Sequence, residues 1–176
     1  MRVINKNWIY FILIIFWGLL IISLTPIVLL FVDENVNKSS LLIDKKNDQV
    51  NYAIDNWSYY DNIIPKITID GWAFVETKHD NSNKTVKLIF SSDDVSYEID
   101  SDLHNRQGLV KVFKDKNVPK DRTGFSTTFS PLGMTNGDYS LLFYVSENEN
   151  DYGIIDTGRE FRKHFRTFKE LKGGEE

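Results

Sequence analysis

The chain has 176 residues, no cysteine and a formal net charge of −4, from 21 basic and 25 acidic residues. Arg2 and Lys6 are the only charged residues among the first 32, which leaves 19 basic against 25 acidic residues and a net charge of −6 for the rest. An acidic chain argues against nucleic-acid binding, which requires a basic surface. The lack of cysteine excludes disulfides, thiolate zinc sites and cysteine nucleophiles.

The first predicted element is an uncharged, strongly apolar segment over residues 8–32. At about 1.5 Å per residue, a helix of this length covers roughly 37 Å, more than the ~30 Å hydrocarbon layer of a bilayer. The apolar run exceeds the roughly 7–15 residues of a cleaved signal peptide, and no A-x-A-like site closes it. The sequence therefore predicts an uncleaved transmembrane signal anchor.

The charges beside this segment predict its orientation. Arg2 and Lys6 precede it, whereas Asp33 and Glu34 follow it. Because basic residues favour the cytoplasmic side, we expect a single-pass protein of the cytoplasmic membrane with its N-terminus inside and its larger part outside. The predicted organisation is a cytoplasmic tail (1–7), the anchor (8–32), a juxtamembrane tether (33–56), an extracytoplasmic β domain (57–168) and a charged tail (169–176).

The region after the tether predicts strands. Short runs rich in β-branched and aromatic residues alternate with clusters of Asp, Asn, Ser and Gly. About seven strands without interleaved helices predict an all-β fold, an Ig-like antiparallel β-sandwich. The predicted strands are 66–75, 85–90, 95–99, 109–113, 124–129, 138–146 and 152–157.

The C-terminal stretch admits two interpretations. Phe161, Phe165 and Phe168 recur at helical spacing, but residues 159–165 could equally continue the sheet. We predict the strand, followed by a frayed tail. The basic residues of this stretch suit either an anionic polymer or lipid surface or an ordinary solvated face.

Four aromatic residues are candidates for glycan contact, because sugar rings pack their C–H faces on aromatic side chains. They are Trp57, Tyr59, Tyr60 and Trp72. The alternative for the first three is a packing plug at the edge of the core or a contact with lipid headgroups. For Trp72 the alternative is a place in the core.

A family resemblance supports a glycan-associated role. Residues 67–74 read I-x-I-x-G-W-A-F, and a strand, a Gly124-Phe125 pair and a G-D-Y-S-L run at 137–141 follow. Over residues 63–165 the chain resembles the Ig-like β-sandwich modules that accompany bacterial cell-surface polysaccharide and glycosyltransferase systems. The resemblance implies an accessory or glycan-associated role and names no catalytic residues.

The chain departs from the pattern of these modules at one place. The modules show an Arg and an Asp before the Gly-Phe pair, and here Arg106 and Arg122 match the Arg, but Gln107 and Gly108 do not supply the acid. The physical interpretation of Gly71 is independent of the resemblance. A glycine inside a strand indicates a bulge or the close approach of a neighbouring ring.

The search for chemistry predicts no enzyme, no metal and no cofactor. No calcium-loop motif, H-E-x-x-H pair, G-x-S-x-G elbow or glycine-rich phosphate loop is present in the sequence. Most candidate acids lie in or beside a predicted turn, which favours turn formation and solvation over a pair of glycosidase carboxylates. These acids are Asp93, Asp94, Asp100 and Asp102, and the three separated histidines are His79, His104 and His164.

Three hypotheses follow for function. The first is a membrane-anchored, non-enzymatic module that binds an envelope polysaccharide or a membrane-protein partner outside the cell. The second is an accessory subunit of a membrane enzyme or export complex, which contacts its partner through the anchor helix. The third is a small extracytoplasmic enzyme.

Overall fold

A computed structural model describes residues 6–29, 36–39, 50–76, 84–106, 108–114, 116–119, 121–147 and 152–172. The chain divides into two compact units, Met1–Asp33 and Glu34–Glu176. Residues 30–32 of the predicted anchor and most of the tether therefore lie outside the described residues, as does His79.

The first unit contains helix α1, Lys6–Leu29. Its sequence lacks glycine except at Gly18 and is otherwise rich in Leu, Ile, Phe and Trp. Large apolar side chains are exposed along the helix, including Ile14 and Ile22. Over the described part of the chain, no helix combines the length and the hydropathy needed to cross a membrane.

The second unit is built of antiparallel strands, which confirms the all-β prediction. Its described residues include ten strands, one short α-helix, α2 (Leu109–Val112), and one turn of 3-10 helix (Pro131–Gly133). The strands are β1 (Val36–Lys38), β2 (Val50–Tyr60), β3 (Lys66–Val75), β4 (Thr85–Ser91), β5 (Ser96–Asp100), β6 (Asp102–His104), β7 (Gly124–Phe129), β8 (Gly137–Ser146), β9 (Tyr152–His164) and β10 (Thr167–Lys172).

The strands form two sheets that pack face to face. One sheet has six strands in the order β1-β5-β4-β8-β9-β10, and the other has four in the order β2-β3-β7-β6. The period of two sends Ile67 and Ile69 of β3 into the core, where both are fully buried. Aromatic rings join the sheets: the Phe90 and Phe129 centroids are 5.4 Å apart, and those of Phe125 and Phe143 are 5.2 Å apart.

Several sequence predictions need correction. Residues 109–113 do not form a strand, because α2 begins after Gly108, whose φ of 108° is open to glycine at little cost. Residues 167–172 form β10 where a frayed tail was expected, and the helical alternative for the phenylalanines is wrong. The strand over residues 159–165 is confirmed as far as His164, because β9 continues through it.

Strand β2 begins inside the stretch for which the sequence predicts a tether. Its alternation is interrupted because the register with β3 shifts between Ile54 and Asn56, leaving Asp55 as the extra residue of a bulge. A broken period hides a strand from sequence analysis. The bulge therefore accounts for the missed strand β2, whereas β1, β6 and β10 were missed as well.

Gly71 lies directly opposite this bulge, as the sequence prediction for a strand glycine requires. It pairs with Ile54, and a Cβ atom placed at Gly71 would lie 2.2 Å from the Ala53 carbonyl oxygen and 2.9 Å from the Phe125 ring. Both the bulge and the close ring are therefore present. Any larger side chain here would have to displace backbone.

Candidate functional site

The structure places the predicted aromatic residues in different environments. Trp57 and Tyr59 pack against the core. The Trp57 ring lies 4.6 Å from the Phe161 ring and 6.1 Å from the Phe168 ring. The Tyr59 hydroxyl donates a hydrogen bond of 2.8 Å to the Arg166 carbonyl oxygen. These contacts are those of the packing alternative.

Trp72 lies on the opposite face of the four-stranded sheet from Trp57. Trp57 pairs with Ile69, a core residue, and Trp72 is three positions further along the same strand, so its side chain points away from the core. There its ring lies 5.2 Å from the Phe113 ring. Tyr60 alone among the four candidates is more than half exposed. The fold therefore does not assemble the four aromatics into one platform.

Arg106, one of the two arginines that could match the predicted pattern, has an acidic partner that lies far away in the sequence. Arg106 forms an ion pair with Asp55, the bulge residue of β2. Gln107 and Gly108 cannot supply an acid, but the bulge brings one from 51 positions upstream. Arg122 has a positive φ of 56°, and its backbone N–H donates to the Asn105 side chain.

A second candidate site is an open groove of about 700 Å³ beside the outer face of the six-stranded sheet. Its walls are the β4–β5 turn, the segment before β8, and the outward-facing residues of β8 and β9. The groove is lined by five residues with hydroxyl side chains and five with carboxylates. These are Ser91, Ser92, Thr135, Tyr139, Ser140, Asp93, Asp94, Asp138, Asp156 and Glu160.

Hydrogen bonds hold the hydroxyl side of the groove in place. The Tyr139 hydroxyl donates to the Thr135 carbonyl oxygen at 2.8 Å and lies 2.9 Å from the Thr135 hydroxyl. Ser91 and Ser96 hydroxyls lie 2.9 Å apart across the strand pair. Burial raises the pKa of Tyr139, so its hydroxyl stays a donor. The groove is therefore preorganised on rigid strands.

One groove carboxylate is committed to an ion pair. Arg162 donates to both oxygens of Asp138, each at 2.7 Å. These hydrogen bonds hold the pKa of Asp138 below its usual value. A general acid requires the opposite, a carboxyl group whose pKa is raised. Asp138 is thus suited to hold charge and position, and not to donate a proton.

A metal ion has no candidate ligand set among the described residues, because no three His, Asp or Glu side chains converge there. The His104 ring packs at Gly124, where an added Cβ would lie 2.4 Å from its Nε2 atom. The His164 ring lies 6.5 Å from the Phe165 ring, at the end of β9.

Sequence analysis found two residues of the groove without recognising them. Asp93 and Asp94 were assigned to a turn, and they do lie in the β4–β5 turn, but that turn is also a wall of the groove. Ser140 and Glu160 were missed. The alternation of β8 shows that Ser140 faces outward, but the pairing with Glu160 depends on a bulge that the sequence does not reveal.

No known protein family, curated protein or solved structure matches this chain.

Proposed function

We propose that this protein is a membrane-anchored, non-enzymatic module that binds an envelope polysaccharide in the groove of its β-sandwich, outside the cytoplasmic membrane. The observation that carries the proposal is the groove itself. Its hydroxyl and carboxylate groups accept hydrogen bonds from sugar hydroxyls, and the serine and threonine hydroxyls also donate them. The Ig-like resemblance of residues 63–165 points to the same class of ligand.

The carboxylates of the groove favour a neutral or cationic polymer over a polyanionic one. Five carboxylates line the groove, and Arg162 partly neutralises Asp138. A polymer rich in phosphate or uronic acid would be repelled. A glycan of neutral or amino sugars would be accepted.

The membrane location rests on the segment over residues 8–32. Its uncharged run continues beyond the end of α1, and basic residues precede it while Asp33 and Glu34 follow. In this proposal the segment is the single-pass anchor, and residues 1–7 are cytoplasmic. The role of the anchor is to keep the binding domain concentrated at the membrane surface.

Binding of the full chain in lipid nanodiscs to purified envelope polysaccharides tests the proposal. A variant with Asp93→Asn and Glu160→Gln removes two groove charges but keeps the shape, and we expect a loss of about fivefold or more in affinity. Asp102→Asn, an acid on β6 outside the groove, is the matched control. Equal affinity of the groove variant and the wild type would contradict the proposal.

Two further variants test the predicted aromatic contacts. Tyr60→Ala removes an exposed ring, so any loss of glycan retention reports on contact. Trp57→Ala disturbs the core, so it is interpretable only when the variant is still folded.

The accessory-subunit hypothesis makes a different prediction. Replacing residues 8–32 by an unrelated spanning helix should abolish function if that segment contacts a partner helix, and should preserve it if the segment only anchors. Retained function in the swapped chain would remove the accessory hypothesis. It would leave the binding module intact.

A further inference from the structure

Three large apolar side chains are exposed at one end of the β-sandwich. Ile63 is 92% exposed, Phe165 is 76% exposed and Tyr60 is 52% exposed. Ile63 lies in the β2–β3 connection and Phe165 in the β9–β10 turn. We call Tyr60, Ile63 and Phe165 the apolar tip.

Arg166 joins the two segments of the apolar tip. Its guanidinium donates to the carbonyl oxygens of Asn62 and Ile63, at 2.5 and 3.2 Å. The Arg166 carbonyl oxygen in turn accepts the hydrogen bond from Tyr59. Ile63 and Phe165 are therefore held on adjoining turns.

The turn that carries Phe165 is fixed on its other side as well. The Phe165 N–H donates to the Asn136 side chain at 2.7 Å, and the Lys163 amine donates to the Phe165 carbonyl oxygen. Lys163 is buried, and desolvation lowers the pKa of its amine. A buried lysine is a costly way to fix a surface turn, so the position of this turn matters.

The backbone of Phe165 adds a second cost. Its φ is 55°, a left-handed conformation that favours glycine and strains other side chains. The ring gains little burial in return, because it is mostly exposed. Neither the backbone conformation nor packing in the core therefore explains a phenylalanine at this turn, which points to a use outside the fold.

Two cations lie beside the apolar tip. The Arg166 side chain is about half exposed, and the exposed Lys66 pairs with Tyr60 across the strands. Asp61, 3.8 Å from Arg166, offsets part of this charge. Exposed apolar residues with a cationic rim complement an anionic lipid surface, where the rings and the aliphatic chain enter the headgroup layer.

We propose that the apolar tip docks on an anionic lipid bilayer. A lipid surface needs no complementary shape, whereas a protein partner of ordinary size would cover about 800 Å² of matched surface. The apolar tip consists of three exposed side chains at the end of β2 and on two adjoining turns, a small area that suits lipid. This inference uses none of the groove residues, and it shares only Tyr60 with the aromatic residues predicted to contact a glycan.

Single-cysteine labelling of the full chain tests the docking. The chain has no native cysteine, so Ile63→Cys carries one environment-sensitive fluorophore, and Val112→Cys on α2, also strongly exposed, is the matched control. Each labelled chain is reconstituted into vesicles of phosphatidylcholine alone or of phosphatidylcholine with phosphatidylglycerol. We expect the label at residue 63 to shift to the blue and to resist an aqueous quencher only in the anionic vesicles. The label at residue 112 should not change.

A charge variant sharpens the result. Lys66→Gln in the Ile63→Cys background removes one cation without touching the turns, and should weaken docking about fivefold. Identical emission at residue 63 in both vesicle types would overturn the proposal. A shift that depends on protein concentration in detergent, without lipid, would also overturn it, because the partner would then be a second copy of the chain.

Discussion

The two ends of the β-sandwich reverse the usual rule of burial in opposite ways. At the end where β3 and β8 finish, Lys84 and Glu147 are both buried, and their Nζ and Oε1 atoms are 2.8 Å apart. At the other end, the apolar tip exposes Ile63 and Phe165. One end buries an ion pair, and the other exposes apolar side chains.

The two ends differ in whether contacts within the fold compensate for the unusual burial or exposure. The Lys84 amine also donates to the Ala73 carbonyl oxygen at 2.8 Å, and the Val75 N–H points at Glu147 from 3.4 Å. Burial lowers the pKa of Lys84, while the charge of Glu147 opposes that shift. The ion pair lies at the ends of the neighbouring strands β4 and β8, and its hydrogen bonds to Ala73 and Val75 connect it to β3 of the other sheet, so it is satisfied within the fold. The three side chains of the apolar tip remain exposed to solvent, and the proposed docking on lipid would cover them.

The largest expected effect comes from breaking the buried ion pair. Lys84→Met leaves Glu147 buried without its partner, and we expect unfolding free energy to fall by about 3–5 kcal/mol. Chemical denaturation of the full chain in detergent, followed by tryptophan fluorescence, measures it. The double variant Lys84→Met with Glu147→Leu should recover most of the loss. Lys87→Met, which breaks the more exposed pair with Glu98, should cost about 1 kcal/mol or less.

Two phenylalanines of the same hairpin contrast the interior with the apolar tip. Phe168 is buried against Trp57 and Phe161, so Phe168→Ala should cost about 3–5 kcal/mol. Phe165→Gly should instead stabilise the fold by up to about 1 kcal/mol, because glycine accepts the positive φ without strain. The same denaturation experiment compares them. A loss of several kcal/mol for Phe165→Gly would show that the exposed ring is structural.

A smaller effect is expected from loosening the apolar tip. Arg166→Gln removes the bonds to the carbonyl oxygens of the β2–β3 connection, and local opening should become easier by about 1 kcal/mol. Hydrogen exchange of the amides in residues 61–64 and 165–166 measures this. Lys169→Gln, in the same hairpin, controls for loss of charge. Equal exchange in both variants would show that Arg166 does not hold the turns together.

The smallest effect concerns the exposed ion pair of Asp138 with Arg162. Since the folded-state pKa of Asp138 lies below its unfolded value, the pair contributes stability above the usual aspartate pKa, and this contribution is lost as pH falls through the folded pKa. The stability difference between wild type and Asp138→Asn should therefore be present at neutral pH and vanish in acid. Denaturation curves at a series of pH values measure it. A difference that grows in acid would contradict the assignment.

Much of the fold was accessible from local pattern. The strand over residues 66–75 was predicted with its observed bounds, and its buried face follows from the period of two. Two of the strands that were missed have a misleading local pattern. Strand β2 is broken in pattern by the bulge at Asp55, and β10 alternates charged residues that look like a solvated tail. The strand character of β10 comes from its hairpin with β9 and from the burial of Phe168, neither of which its charged residues reveal.

The candidate sites were less accessible. The sequence predicts Trp57 and Tyr59 as glycan contacts because they are aromatic. Their packing depends instead on Phe161 and Arg166, which lie about 100 positions downstream. Asp93 and Glu160 line the same groove only because β4, β8 and β9 are neighbours in the six-stranded sheet. The predicted membrane anchor, glycan ligand and family resemblance stay predictions.

By itself, the sequence determined that an uncharged apolar helix precedes an acidic, cysteine-free β domain, because composition and period act locally along the chain. Only the tertiary structure decided which charges are hidden and which rings are displayed. Lys84 looks like any surface lysine until β8 brings Glu147 to it, and Phe165 looks like a core residue until the β9–β10 turn leaves it in solvent. Burial depends on how the two sheets pack together, so the sequence of a single strand does not determine it.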